Sequence, residues 1–277
     1  YIEAQTKALK GADIYLGGAY GSSVLATANV MMAAVLAKGK TRIENAACEP
    51  EVVDLAEFLI KMGAKIKGHK THVIEIEGVE QLKGATHSVI PDRIEAGTYM
   101  IAAAMTRGDI IIENARIEHN GALIDKLRQA GIVVTKKQKG LRIKSSGSVK
   151  PVDITTLPFP GFPTDLQAQA TAMACMAKGI SIITEKIYPE RFMHISELNR
   201  MGADIILEGE SAIVKGHRIL TGATVMASDL RASAALVLAG LVAKGETEIL
   251  RVYHLDRGYE NMEEKLTSLG AKIRRER

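Results

Sequence analysis

The chain lacks what a disulfide scaffold, a zinc site or a membrane span would need. Its 277 residues include two cysteines, no tryptophan and only four phenylalanines. Cys48 and Cys175 lie far apart without the paired spacing of zinc ligands, so we expect a reduced, cytoplasmic protein with no disulfide and no metal. No stretch approaches the roughly eighteen apolar residues of a transmembrane helix, so we expect a soluble protein that does not contact membranes.

Excess charge of one sign is also scarce. The 36 basic residues are nearly balanced by 32 acidic ones, and the formal net charge is +4. The basic residues are scattered along the chain, so we expect no nucleic acid partner, whereas a small anionic ligand stays open. Hydrophobic residues make up 47% of the chain, which is enough for a substantial core.

Two sets of glycines indicate an internal repeat. Glycines that follow the first helix of a unit are spaced by 69, 71 and 66 residues, at Gly39, Gly108, Gly179 and Gly245. Glycines that follow the second helix are spaced by 68, 71 and 68 residues, at Gly63, Gly131, Gly202 and Gly270. Because the two sets agree, we predict four copies of one unit, which begin near Ser23, Asp92, Asp165 and Asp229.

The second copy predicts the order of elements within the unit. An apolar strand at 87–90 precedes a small-residue helix at 92–106, which a left-handed Gly108 would end. A strand at 110–114, an amphipathic helix near 123–130 and two short strands follow, which gives the order βαβαββ. One helix is apolar nearly all round, so the copies must pack helix against helix and leave their sheets outside.

The segment 159–169 joins a restricted loop to the start of a helix. Two prolines and a glycine limit the loop, and Thr164 and Asp165 stand where N-capping side chains would stand, ahead of a helix that continues to 178. Asp92 and Asp229 occupy the same place in their own copies. For a lone aspartate at a helix start, capping is the usual role.

Six short strings carry a specific resemblance to a known family. They are Glu-Pro-Glu-Val-Val-Asp (49–54), Pro-Asp-Arg-Ile-Glu (91–95), Phe-Pro-Thr-Asp-Leu-Gln-Ala-Gln (162–169), Arg-Phe-Met-His (191–194), Asp-Leu-Arg-Ala-Ser (229–233) and Tyr-His-Leu-Asp-Arg-Gly-Tyr-Glu (253–260). From about residue 24 to residue 272 the chain resembles the enolpyruvyl transferase family, and within it the members that act on UDP-N-acetylglucosamine.

The resemblance implies a fold and a division of the chain. The family has an α/β (α+β) fold, an inside-out α/β barrel of repeated βαβαββ units in which the helices are buried and the sheets lie outside, as in EPSP synthase. Six units form two domains of three. By this comparison, residues 1–88 supply one unit of the domain that carries the catalytic loop, and residues 89–277 supply the second domain.

The implied reaction transfers the enolpyruvyl group of phosphoenolpyruvate to the 3-hydroxyl of UDP-N-acetylglucosamine and releases phosphate through a tetrahedral intermediate. It is the first committed step of peptidoglycan synthesis, with the roles in cell shape and cell division that this entails. The chemistry needs a base for the hydroxyl, an acid for the enol carbon and cations for the anionic groups. The family uses no cofactor and no metal.

Matched positions give the implied site residues. Asp165 corresponds to the proposed general base beside the sugar hydroxyl, and Arg231 and Arg257 correspond to arginines that hold phosphoenolpyruvate. Contacts to UDP-N-acetylglucosamine are implied for the loop Gly21, Ser22, Ser23 and Val24, for Asp165 and for the backbone of Ile187. Positions near the cleft are implied for Asp92, Glu95, Tyr188, Arg191 and Asp229. The structural alternatives are helix capping for the aspartates and ordinary surface ion pairs for the arginines.

The chain also departs from the family pattern. Leu25 stands where the family usually has glycine, and the loop ahead of Ser22 is longer than the common one. The family's proton donor, a cysteine or aspartate on a loop, and its Lys-Asn pair belong to units that this chain does not match, and neither Cys48 nor Cys175 takes their place. We therefore expect the N-terminal part of the same enzyme as a partner. A non-catalytic remnant that binds sugar nucleotide stays open, as does 5-enolpyruvylshikimate-3-phosphate synthase, which the strings at 162–169 and 253–260 disfavour.

Overall fold

The computed structural model describes residues 3, 5–216 and 219–276. It divides into two compact units, the first formed by Tyr1–Ile90 with Pro158–Pro160 and the second by Pro91–Leu157 with Gly161–Arg277. Residues 1, 2, 4, 217, 218 and 277 of the predicted domains 1–88 and 89–277 lie outside the described residues. The assignment of these domains to the two halves of a larger enzyme stays a prediction.

Unit 1 contains two helices and one four-stranded sheet. The elements are β1 (Asp13–Tyr15), β2 (Gly17–Gly18), β3 (Gly21–Ser22), α1 (Val24–Ala34), β4 (Lys40–Glu44), α2 (Pro50–Lys61), β5 (Lys65–Lys67) and β6 (Val73–Glu77). The sheet has the order β1-β4-β6-β5, in which β1 runs parallel to β4 and the other pairs are antiparallel. The strands β2 and β3 form a short separate hairpin.

Unit 2 repeats this plan around the six α-helices of its described residues. Its elements are α3 (Arg93–Met105), β7 (Asp109–Glu113), α4 (Gly121–Gln129), β8 (Val133–Lys137), β9 (Gly140–Lys144), β10 (Ile154–Thr155), α5 (Gln167–Ala174), β11 (Ile180–Thr184), α6 (His194–Arg200), β12 (Ile205–Glu208), β13 (Ser211–Lys215), β14 (Thr224–Met226), α7 (Leu230–Val242), β15 (Glu248–Leu250) and α8 (Met262–Ser268). Three 3₁₀ helices accompany them, at Ile117–His119, Thr164–Leu166 and Val252–Arg257. The sheets have the orders β7-β9-β8, β10-β11-β13-β12 and β14-β15.

The predicted order βαβαββ is present in full in the first and third copies. In both, the first two strands are parallel and the remaining pairs are antiparallel, so the two sheets share one topology. The predicted strand at 87–90 is wrong, because the described chain is irregular there. His87 instead lies 2.9 Å from a carboxylate oxygen of Asp54 in α2 and stacks on Phe58. The fourth copy has no strand after α8 within the described residues.

Helices form the core of unit 2 and sheets form its outside, as the sequence predicts. Every residue of α5 is buried, and α5 packs against both α3 and α7. Small side chains let these helices approach closely, for example at Ala102 and Ala235, which are 6% and 0% exposed. The strands alternate between exposed and buried residues, which places one face of each sheet on the helices and the other in water.

Helix α1 of unit 1 is an exception to this burial. Its buried residues are Thr27, Met31 and Ala34. On another face Leu25 and Met32 are 75% and 45% exposed. The prediction that the first helix of each copy is buried is therefore wrong for α1, which packs against α2, β4 and β6 but leaves these side chains exposed.

The second set of repeated glycines ends helices, and the first set differs from it. Gly63, Gly131, Gly202 and Gly270 all have positive φ, as left-handed residues after a helix require. In the first set Gly39, Gly179 and Gly245 also have positive φ, but they lie three to five residues beyond the ends of α1, α5 and α7. In the second copy Arg107, at φ 56°, takes the left-handed conformation. The prediction for Gly108 is wrong by one residue. Gly108 follows the left-handed Arg107, and its backbone N–H donates to the carbonyl oxygen of Ala103. No helix in the described part of the chain is long and apolar enough to cross a membrane.

Candidate active site

Asp165 lies between two arginine side chains in unit 2. It belongs to the 3₁₀ helix Thr164–Leu166, which leads directly into α5. Its Oδ1 lies 2.8 Å from Nη1 of Arg191 and 3.3 Å from Nε of Arg231. Neither helix has a side-chain cap, so the predicted capping role of Thr164 and Asp165 is wrong, and α5 ends at Ala174 rather than at 178. The carboxylate of Asp165 instead forms ion pairs with the two guanidinium groups.

The charges of these arginines determine the ionisation of Asp165. Burial alone would raise the pKa of the carboxyl, but the positive charges and hydrogen bonds of Arg231 and Arg191 outweigh burial and lower the pKa below its usual range. Burial alone would likewise lower the pKa of Arg231, and the negative charge of Asp165 raises it. Asp165 and Arg231 are therefore charged at neutral pH, although the side chains of Asp165, Arg191 and Arg231 are only 36%, 20% and 14% exposed.

Arg231 reaches the cluster from the first turn of α7. Asp229 caps this helix, because its Oδ1 accepts the backbone N–H groups of Arg231 and Ala232 at 2.7 and 3.1 Å. The guanidinium lies over the ring of Tyr259, with 5.9 Å from its carbon to the ring centroid, and Nη1 donates to Tyr259 Oη at 3.5 Å. Helix capping and the tyrosine together fix the direction of this side chain.

Tyr259 connects three helices of unit 2. Its Oη lies 2.8 Å from Thr98 Oγ1 of α3 and 3.2 Å from Gln169 Nε2 of α5. The Thr98 hydroxyl donates to Ile94 O at 2.9 Å, so it accepts the hydroxyl proton of Tyr259. The oxygen of Tyr259 is then free to accept from Gln169 and from Arg231. The sequence includes Tyr259 and Gln169 in matched strings but does not reveal this hub.

Arg257 lies in a neighbouring cavity. It ends the 3₁₀ helix Val252–Arg257, it is exposed, and it lines a cavity of about 570 Å³ together with Tyr259 and Glu95. Glu95 pairs there with Lys265 at 2.7 Å. Tyr259 thus contacts Arg231 and lines the cavity that contains Arg257. The assignment of both arginines to phosphoenolpyruvate stays a prediction.

Asp92 and the turn after β11 differ in what they contact. Asp92 caps α3 by accepting from the backbone N–H groups of Ile94 and Glu95 at 2.7 and 3.1 Å, so helix capping is the role of Asp92 as it is of Asp229.

In the turn after β11, the backbone N–H groups of Ile187 and Tyr188 donate to the buried Glu185. The predicted contact of Ile187 with the nucleotide and the cleft position of Tyr188 stay predictions.

A buried histidine and the cysteines stand apart from the cluster's chemistry. Burial lowers the pKa of His194, at the start of α6, to about 4, so this side chain is neutral at physiological pH. Burial raises the pKa of the Cys175 thiol to about 12, which makes it inert. Burial, followed by the charge of Glu49, raises the pKa of Cys48 in unit 1. Within the described residues no group of three or more His, Cys, Asp or Glu is arranged to hold a metal ion.

The loop Gly21 to Val24 belongs to unit 1. Gly21 begins β3, where it pairs with Gly18. Its φ is 96° and an added Cβ would lie 2.8 Å from Pro158 Cγ, so this position requires glycine. Ser23 caps α1, since its Oγ accepts from the N–H of Ala26 at 3.2 Å. Val24 is the first residue of that helix. The nucleotide contacts expected of Gly21, Ser22, Ser23 and Val24 stay predictions.

Comparison with known proteins identifies the family. Residues 1–266 match the family model of EPSP synthase (3-phosphoshikimate 1-carboxyvinyltransferase). The chain belongs to the EPSP synthase family. Among solved structures, the enolpyruvyl transferase NikO from Streptomyces tendae matches 97% of this chain and 66% of its own with a TM-score of 0.86 at 24% identity. EPSP synthase from Acinetobacter baumannii matches 98% of this chain and 64% of its own with a TM-score of 0.77 at 21% identity. Both similarities confirm the predicted fold class.

Sequence relatives are more similar and carry a more specific name. The chain is 60% identical to UDP-N-acetylglucosamine 1-carboxyvinyltransferase 1 of Caldanaerobacter subterraneus subsp. tengcongensis, over 99% of this chain and 66% of that protein. It is 57% identical to UDP-N-acetylglucosamine 1-carboxyvinyltransferase 2 of Carboxydothermus hydrogenoformans, over 99% of this chain and 65% of that protein. The chain therefore spans slightly less than two thirds of the length of the curated relatives it matches.

Proposed function

We propose that this chain is part of an enzyme that transfers the enolpyruvyl group of phosphoenolpyruvate to the 3-hydroxyl of UDP-N-acetylglucosamine and releases phosphate. The observation that carries the proposal concerns Asp165, which belongs to the string 162–169. Its carboxylate lies between the guanidinium groups of Arg191 and Arg231. The names of the relatives at 60% and 57% identity support the choice of substrates.

Asp165 has the charge that a general base needs. An ionised carboxylate can accept the proton of the sugar hydroxyl while the oxygen attacks C2 of phosphoenolpyruvate. In the described structure its two arginine neighbours make it a weak base, because they lower its pKa. An anionic substrate that binds Arg231 would bring negative charge beside Asp165 and strengthen the base at the moment when it is needed.

The arginines suit the anionic substrate and its intermediate. Planar guanidinium groups bind carboxylate and phosphate oxygens two at a time, and Arg231 is oriented for this by Asp229 and Tyr259. We assign Arg231 and Arg257 to phosphoenolpyruvate. We assign the loop Gly21 to Val24 and the backbone of Ile187 to UDP-N-acetylglucosamine. A helix N-terminus such as that of α1 favours a diphosphate.

The proposal includes a partner segment. Protonation of the enol carbon needs an acid, and Cys175 is buried with a pKa raised to about 12, while Cys48 has a raised pKa as well. We propose that the acid comes from the third of the relatives' length that this chain does not match. The product would enter peptidoglycan synthesis, and so cell shape and division, in the cytoplasm.

Phosphate release tests the proposal. The third of the Caldanaerobacter relative that this chain does not match would be fused ahead of the chain, and phosphate measured with phosphoenolpyruvate plus either UDP-N-acetylglucosamine or shikimate 3-phosphate. Release that depends on the sugar nucleotide is expected. Release only with shikimate 3-phosphate would replace the proposed acceptor. Binding of UDP-N-acetylglucosamine by calorimetry without any release would instead indicate a non-catalytic binding protein.

A further inference from the structure

A buried carboxylate behind the site has no role in the proposed chemistry. Glu185 follows β11 directly and is 0% exposed. Its partners are hydroxyl and backbone N–H groups, at distances between 2.5 and 3.0 Å. Burying a carboxylate costs free energy unless all its oxygens accept strong hydrogen bonds. The two oxygens of Glu185 serve different parts of the site.

One oxygen shapes the turn that follows β11. Oε1 accepts from the backbone N–H groups of Ile187 and Tyr188 at 2.8 and 3.0 Å and from the hydroxyl of Thr156 at 2.5 Å. The oxygen of Thr156 accepts in turn from the N–H of Lys186 at 2.9 Å. The backbone direction of residues 186–188 is therefore fixed by one carboxylate oxygen and one hydroxyl.

The other oxygen connects Glu185 to the charged cluster. Oε2 accepts the hydroxyl proton of Thr164 at 2.9 Å. Because a carboxylate can only accept, the Thr164 hydroxyl must donate its proton to Glu185. The oxygen of the same hydroxyl accepts a hydrogen bond from Nη1 of Arg191 at 3.0 Å. The same Nη1 lies 2.8 Å from Asp165 Oδ1. A directed chain of contacts thus runs from Glu185 through Thr164 and Arg191 to Asp165.

We propose that Glu185 is a positioning residue that sets two parts of the site at once, the turn at 187–188 and the Arg191–Asp165 pair. The inference rests on the function proposed above for what these parts do, since the turn is assigned to the sugar nucleotide and Asp165 to the base. Among the side chains only a carboxylate accepts from all four donors. A glutamine would turn an N–H group toward one of them.

Two variants interrupt only the contact to the charged cluster. In Glu185→Gln the amide oxygen still accepts from the three donors at the turn. The NH₂ group faces Thr164, whose hydroxyl can then no longer donate to residue 185. In Thr164→Val the hydroxyl is absent, and Nη1 of Arg191 loses one of its two acceptors and keeps only Asp165. Arg191 is then held less firmly beside Asp165, so the pKa of Asp165 rises toward its ordinary range in both variants. The charged groups that act on Asp165 in the described structure are Arg191 and Arg231.

A third variant affects only the turn. Thr156→Val removes one donor from Oε1 and the acceptor of the Lys186 N–H, and it leaves Thr164 and Arg191 in place. Amide hydrogen exchange at Ile187 and Tyr188 should become at least about tenfold faster, as the loss of one charge-assisted hydrogen bond allows. The titration of Asp165 should stay as in the unsubstituted chain.

Glu210→Gln is the matched control. Glu210 lies beside Glu185 across the sheet, but its carboxylate is 44% exposed and pairs with Lys186 at the surface, at 2.5 Å. The substitution removes one carboxylate charge from the same neighbourhood without touching Thr164 or the turn hydrogen bonds. It should leave both the titration of Asp165 and the exchange at 187–188 unchanged.

The experiment uses the full 277-residue chain. Aspartate would be labelled with ¹³C at Cγ, the Asp165 signal assigned with Asp165→Asn, and its titration midpoint compared among the variants, with amide exchange measured on the same samples. Higher midpoints in Glu185→Gln and Thr164→Val, but not in Glu210→Gln, are expected. An unchanged midpoint in both variants, with circular dichroism showing native fold, would overturn the link to Asp165. Unchanged exchange in Thr156→Val and in Glu185→Ala would overturn the role in the turn.

Kinetics of the fused enzyme separate this inference from the proposed function. Glu185→Gln and Thr164→Val should lower kcat about tenfold with little change in KM for UDP-N-acetylglucosamine, because the loss of a fixed direction for Asp165 outweighs the stronger base that its raised pKa makes it. Thr156→Val should mainly raise that KM. If the unsubstituted fusion releases no phosphate, the proposed function fails. The titration and exchange results still decide whether Glu185 positions the two parts of the site.

Discussion

The guanidinium Nη1 of Arg191 lies 2.8 Å from Oδ1 of Asp165, across 26 residues of sequence that include the whole of α5 and β11. The partly buried pair is reinforced by Arg231, which approaches the same oxygen from α7. A carboxylate held by two cations is ionised and fixed in direction. Its replacement therefore has consequences that capping aspartates would not share.

The first prediction concerns Asp165→Asn in the fused enzyme. Turnover should fall by a factor of about 100 or more, because an amide keeps the shape of the side chain but cannot accept the hydroxyl proton. Binding of UDP-N-acetylglucosamine, measured by calorimetry, should change little. Asp109→Asn is the matched control, since Asp109 forms an exposed pair with Arg142 on the sheet. Near-normal turnover of Asp165→Asn would remove this residue from the role of base.

The second prediction concerns the pH dependence of stability. The pKa of Asp165 is lowered in the folded chain, so its contribution to stability is complete above the unfolded value of about 3.9 and is lost as the pH falls through the folded value. The free energy of unfolding of the unsubstituted chain should therefore keep a constant difference from that of Asp165→Asn between pH 7 and about pH 4, and approach it as the pH is lowered further. Denaturant unfolding at several pH values measures this difference. A difference that grows toward acid would contradict the lowered pKa.

The third prediction concerns Tyr259→Phe. Removing the hydroxyl takes one buried hydrogen bond from Thr98 and one from Gln169, and it leaves Nη1 of Arg231 without the tyrosine acceptor, so we expect a loss of about 1–3 kcal/mol in the free energy of unfolding. KM for phosphoenolpyruvate should also rise, because Arg231 is less well oriented. Tyr253→Phe is the control, since Tyr253 is 59% exposed. Equal stability of the two variants would show that the hub contributes nothing.

The fourth prediction concerns Arg257→Lys. A lysine keeps the charge but lacks the planar pair of donors, so KM for phosphoenolpyruvate should rise about tenfold or more while KM for UDP-N-acetylglucosamine changes little. Steady-state kinetics with each substrate varied in turn give both values. Arg274→Lys, at an exposed pair with Glu276, is the control. Equal increases in both KM values would count against the assignment of Arg257.

The fold could be predicted from the sequence further than the site could. Gly63, Gly131, Gly202 and Gly270 each supply the left-handed residue that follows the second helix of a copy. A local requirement of this kind can be recognised in the sequence from the residue type and its spacing. The irregular segment at 87–90 could not be foreseen, since its apolar residues fit a strand and His87 instead engages Asp54 of α2. The exposed side of α1 was missed for a similar reason, because burial depends on what packs there.

Within the site, too, contacts between residues close in sequence could be predicted, and contacts between distant residues could not. Asp229 and Asp92 cap their helices as their positions suggest, but Asp165, in the same sequence context, does not. What distinguishes Asp165 is the pair of arginines, which come from other copies or other elements. Glu185 was missed because its partners Thr156 and Thr164 lie 29 and 21 residues away and no sequence pattern links them.

The contact between Thr98 and Tyr259 joins residues 161 positions apart, and Lys265 reaches Glu95 across 170. During synthesis, the helices α3, α5 and α7 emerge from the ribosome before the tyrosine that ties them together. Contacts of such long range form late and slowly. A nascent chain that has reached only α7 therefore carries Arg231 without the group that orients it, and the arrangement around Asp165 can be completed only after Tyr259 has been made.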